Sequence, residues 1–156
     1  MDPSLTKKQF IDTMRVERAR WEMLLLRVGP GRMCVPVEGV GQSVGELVGA
    51  LYEREKWLVE RLASIQATEP TRAGMQTREV DTGSVAGVIA ASRDAFNEML
   101  RLLVPVCEAD LFAEGCFDWA QGGTLAQVVA ACTSNYYLEH DRPIRSWLSQ
   151  PVTQAV

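Results

Sequence analysis

Apolar residues recur at helical spacing in four stretches, separated by breaks rich in Gly and Pro. In the first, Phe10, Met14, Trp21, Leu24, Leu25 and Val28 follow one another at spacings near three, four and seven. Thr6 precedes this run with Gln9 three residues on, the pattern of a capping box, and Gly29-Pro30-Gly31 stops it. The second opens at Ser43, with Glu46 as its capping partner, and places Val44, Leu47, Val48, Leu51, Leu58 and Leu62 on one face before ending near Ala63. The third starts at Thr82 or Ser84 and carries Val85, Val88, Ile89, Ser92, Phe96, Met99, Leu100 and Leu103 up to Pro105. The fourth follows Gly122-Gly123, with Thr124 and Gln127 as cap pair, and continues through Leu125, Val128, Val129, Cys132, Tyr136, Ile144 and Trp147. The pattern predicts helices over 6–28, 43–63, 84–104 and 124–149. Pro143 has no N–H to give and crowds the carbonyl of Glu139, which predicts a kink or short break there.

Four amphipathic helices bury their stripes most simply against one another, so the expected fold is all-α, a four-helix bundle forming one domain over 1–156. The connections are long, about 14 residues for the first and nearly 20 for each later one. Loops of that length can cross a bundle end or form the rim of a pocket. No segment alternates as a strand does; Met33 to Val40 looks extended, and Pro36 restricts it to an edge or a loop.

Composition adds boundaries. With 156 residues and 47% of them hydrophobic, the chain can build its own core without a disulfide or metal. A net charge of −4 and a pI near 5.1 argue against nucleic acid as a partner, which would call for a basic patch. No run reaches the roughly 18 uncharged apolar residues of a membrane span. Met1 to Phe10 lacks the apolar centre of a secretory leader, and the expected location is cytoplasmic. Cys34, Cys107, Cys116 and Cys132 form no Cys-x-x-Cys pair and read as reduced thiols, most of them packed as small hydrophobes.

The candidate chemistry is sparse. His140 is the only histidine; Tyr136 lies four residues before it and Cys132 eight, so an unbroken helix would bring imidazole, phenol and thiol to one face. Alternatively, Cys132 and Tyr136 are core residues and His140 caps the bundle end. Glu55 falls on the apolar face of the second helix. Buried there, it needs a partner, and His140, Tyr136 or an inward Arg from the first helix could serve. At the edge of the stripe it would reach solvent along its own stem. Most of Trp21, Trp57, Trp119 and Trp147 are expected to fill a core or a dimer interface, and a two-fold homodimer is expected. Nucleophile elbows, phosphate-cradling loops and His-Glu-x-x-His are absent, and Gly39-Val40-Gly41 is too short for a dinucleotide fingerprint.

Two segments carry a family resemblance. Residues 43–51, Ser-Val-Gly-Glu-Leu-Val-Gly-Ala-Leu, running into Trp57-Leu58-Val59-Glu60-Arg61-Leu62, resemble the second helix of the DinB/YfiT-like four-helix bundle superfamily. Residues 136–148, from Tyr136 through Glu139-His140 to Ile144-Arg145-Ser146-Trp147-Leu148, look like that family's last helix. Many members hold Zn or Ni through three histidines and are linked to hydrolase or thiol-transferase chemistry. The resemblance places Ala50, Tyr136 and His140 at those three ligand positions, so two ligands are missing. It therefore implies a bundle without the usual metal and without a predicted cofactor, binding a small molecule or a protein partner in the former metal pocket. The alternative is a hydrolase or transferase that works through Glu55, Tyr136 and His140, or through a metal site rebuilt from Glu46, Glu53 or Glu55 with His140. A branch resembling colibactin self-resistance proteins makes a protective hydrolase one form of that alternative.

Overall fold

The computed structural model describes residues 5–66 and 83–150. It is all-α: among these residues the only β-type pairing is an isolated antiparallel bridge between Pro36 and Ser43. Helix α1 covers Lys7–Val28, α2 Val44–Gln66, α3 Val85–Leu103, α4 Glu108–Phe112, α5 Leu125–Cys132 and α6 Ser134–Ser149. Residues 67–82, which hold most of the second predicted connection and Thr82, the earlier of the two starts for the third helix, lie outside the described residues. α2 packs along α3 and α1 along α6, while α5 touches α2, α4 and α6.

The caps sit where residue chemistry puts them. Thr6 accepts from the Gln9 N–H while the Gln9 side chain accepts from the Thr6 N–H, and Thr124 and Gln127 repeat this reciprocal pair. Ser43 accepts from the Glu46 N–H, and Ser84 from the Gly87 N–H. The predicted stripe of α2 is buried throughout, and the helix runs one turn farther than Ala63, to Gln66. Between α1 and α2, Met33 and Val37 turn into the core. There the Gly45 N–H donates to the Met33 carbonyl at 2.9 Å. A β-carbon on residue 45 would lie 3.0 Å from that oxygen and 3.1 Å from a Val85 methyl, so glycine lets this loop, α2 and α3 converge.

The fourth predicted helix breaks, but ten residues before the expected place. Pro143 lies inside α6, and the interruption falls at Thr133, whose φ of −132° and ψ of −99° are far from helical. Thr133 is fully buried; its hydroxyl turns back to the Val129 carbonyl at 2.7 Å and its N–H bonds Ala130. That local bonding closes α5 and lets the chain restart. The carbonyl that Pro143 leaves without a helical donor belongs to Glu139, an exposed residue, where solvent can serve it.

One further expectation changes. Cys132 packs as a small hydrophobe, but Cys34, Cys107 and Cys116 are exposed. Only Trp21 is fully buried; Trp119 stacks on Phe117 and meets Trp57 edge to face, so these aromatics pack on one another within the chain. No described helix is long and apolar enough to cross a membrane.

Candidate functional site

Glu55 is the residue from which the interior polar chemistry builds. It sits in the middle of α2 at 1% exposure, with Leu51, Leu58 and Leu62 of the same face at 0%. Its partner is the inward arginine of α1, Arg18, whose Nη1 lies 3.0 Å from Glu55 Oε2. The same nitrogen reaches the Tyr137 hydroxyl at 3.1 Å, and Nη2 donates to Ser92 Oγ at 3.1 Å. Ser92 in turn donates to Glu55 Oε1 at 2.5 Å. Phe96 and Tyr137 offer ring faces to the guanidinium, 5.1 and 5.7 Å from their centroids. Three long-range hydrogen bonds of the Arg18 guanidinium thus join α1 to α2, α3 and α6.

The electrostatics of this cluster are set by its dryness. Burial pushes the Glu55 carboxyl up to about 7, against the pull of Arg18 and the hydrogen bond from Ser92. Burial also works against the Arg18 charge, but Tyr137, Glu55 and Glu22 outweigh it and raise that group further. Burial carries the Tyr137 phenol well above its ordinary range. Beside this network the Trp21 indole, stacked on Tyr137 with centroids 5.4 Å apart, keeps a buried N–H with no hydrogen-bond partner.

The other candidate residues lie apart from Glu55's bonding partners. Tyr136 is buried, and its hydroxyl donates to the Leu47 carbonyl at 2.6 Å. His140 is half-buried, its ring tilted against that of Tyr136 at 4.5 Å. Arg54 lays its guanidinium over the Tyr136 ring, 5.0 Å from the centroid. Burial raises the Tyr136 phenol to about 12 and also raises the Cys132 thiol, and it lowers His140; the Arg54 charge acts on all three. Because of the break at Thr133, Cys132 ends α5 while Tyr136 and His140 stand on α6, so the column is not carried by one continuous helix. Ala50, Glu46 and Glu53 are exposed on α2.

These residues do not fit a divalent metal. Of the three positions the resemblance assigns to ligands, Ala50 has no donor, Tyr136 has committed its hydroxyl to a backbone carbonyl, and one imidazole remains. A guanidinium lies over the phenol where a second cation would be repelled. Among the described residues no three His, Cys, Asp or Glu side chains are placed to share an ion.

A groove opens elsewhere, between the C-terminal half of α1 and the N-terminal half of α3. Its volume is about 330 Å3, and Leu25, Leu26, Met33, Val85 and Ile89 give it an apolar lining. Glu22 and Arg93 stand at one end, with Arg93 Nε 3.0 Å from Glu22 Oε1. The same oxygen lies 3.4 Å from Arg18 Nε, which ties the groove to the buried network. Cys34 forms part of the wall.

Sequence reasoning reached Glu55 and the arginine's helix but did not name Arg18, Tyr137, Glu22 or Arg93. Arg18 had a signal: it lies four residues after Met14 and three before Trp21, in register with the buried stripe. The groove had none, because the Met33–Cys34 wall belongs to a loop. No family model, curated protein or solved structure matches this chain.

Proposed function

We propose that this chain is a metal-free, DinB-like four-helix bundle of the cytoplasm, with α5 and α6 together forming the fourth rod, and that it binds a small apolar molecule. The groove between α1 and α3, rather than the Ala50–Tyr136–His140 region, is where this reading puts the ligand. The observation that carries it is a concave space of about 330 Å3, lined by apolar side chains and ending in one ion pair. Small-molecule sites combine these features, with volumes from roughly 300 Å3 upward. The DinB-like part rests on the two sequence segments; three long helices and a broken fourth are compatible with it.

The test is titration of isotope-labelled protein with 1-octanol, followed by NMR. Saturable shifts at Leu25, Met33 and Ile89, lost in an Ile89→Trp variant that fills the groove, are expected. Shifts that do not saturate, or that survive Ile89→Trp, would reject the groove. Self-association is part of the same proposal, supported by Val16 and Met23 exposed on α1 and Trp57 exposed on α2. Sedimentation at the 17.3 kDa monomer mass across micromolar concentrations would exclude it.

A further inference from the structure

We infer that the groove between α1 and α3 takes a small carboxylic acid, with an apolar body lying on Leu25, Met33 and Ile89 and its carboxylate held by Arg93. This inference rests on the groove being a ligand site and adds the class of ligand.

The charge arrangement at the groove's end carries it. Glu22 Oε1 serves two guanidinium groups at once, Arg93 at 3.0 Å and Arg18 at 3.4 Å. A carboxylate shared in this way compensates neither cation fully, and it has little negative charge left for a cationic ligand. Arg18 is balanced a second time by Glu55, behind it in the core. Arg93 is in a different position. Its side chain is 55% exposed, it forms part of the groove lining, and it meets Glu22 through Nε. The remaining edge of a guanidinium is a planar two-point donor that matches the two oxygens of a carboxylate. The apolar wall then selects for hydrocarbon attached to that carboxylate, and a volume of about 330 Å3 suits a short chain or a single ring.

The experiment compares octanoate with 1-octanol, which has the same chain and no charge, on the full-length protein at neutral pH by calorimetry or NMR titration. Octanoate should bind about tenfold more tightly than 1-octanol. In Arg93→Gln, a change at an exposed position that leaves the apolar wall intact, octanoate should weaken to the level of 1-octanol while 1-octanol binds as before. Equal binding of the two ligands to the unaltered protein, or an octanoate preference that survives Arg93→Gln, would overturn the carboxylate assignment and leave the groove standing. Failure of both ligands to bind would overturn the groove, and the carboxylate assignment with it.

Discussion

Arg18 and Glu55, 37 residues apart in sequence, meet at 3.0 Å with side chains only 5% and 1% exposed. A buried charge pair of this kind is costly to break from one side, because the survivor keeps its desolvation without its partner. Arg18→Met should therefore cost on the order of 3–5 kcal/mol. Replacing both groups, as Arg18→Met with Glu55→Leu, should recover most of that loss. Chemical denaturation of the two variants checks this, and a double variant no better than the single one would show that the pair's coupling is small.

The pH dependence follows from Glu55. A carboxyl that holds its proton more tightly in the folded state than in the unfolded one makes stability fall as pH rises from 4.5 to about 7. At roughly 1.4 kcal/mol for each pH unit, the full loss is on the order of 3–4 kcal/mol. In Glu55→Gln the amide still accepts from Arg18 and does not titrate, so this descent should vanish, whatever constant cost the variant carries from leaving Arg18 without a countercharge. His140 contributes with the opposite sign. Burial and Arg54 lower it, so its contribution is present above its ordinary 6.5 and is lost as pH falls below that value. Parallel stability curves for the parent and Glu55→Gln would remove Glu55 from the explanation.

A metal site can be used to probe the resemblance. Ala50→His with Tyr136→His restores three histidines at the assigned positions, but leaves Arg54 beside them. The double variant should show little thermal stabilisation by Zn, whereas adding Arg54→Ala should produce a concentration-dependent rise in Tm. No rise in the triple variant would mean that positions 50, 136 and 140 do not converge as the family's do.

The last rod gives a fourth test. Pro143→Ala restores a backbone donor inside α6 and should stabilise the protein by ~1 kcal/mol or more, since interior proline is the poorest helix former. Thr133→Val removes the buried bond to Val129 and should cost about 1 kcal/mol. Denaturant midpoints of the two variants should move in opposite directions.

The helix starts and buried stripes were legible because both arise from local chemistry: hydroxyl caps, amide partners and a period near 3.6. Glu55 was legible as an acid on an apolar face, and its pairing with α1 could be anticipated, since a buried carboxylate must find a cation. The break at Thr133 was not, because Cys132 to Tyr136 keeps helical spacing across it while Pro143 offers a louder signal. Tyr137 was overshadowed by Tyr136; both are buried, one bonding Arg18 and the other the Leu47 carbonyl. The groove depends on how a loop carrying Met33 and Cys34 settles against α3, which no local pattern encodes.

The meeting of four helices on one guanidinium also restricts how the rods can be assembled. If α1 slid by one turn, Met14 or Glu22 would stand opposite Glu55 in place of Arg18. The first would leave a carboxyl with no cation, and the second would set two acids together in a dry interior. Either displacement also strands Arg18 among hydrocarbon, away from Ser92 and Tyr137. Leucines tolerate many alignments, but a charged pair with fixed donors accepts one. Arg18 therefore acts as a key in the mating surface, rejecting misaligned packings that the apolar stripes alone would admit.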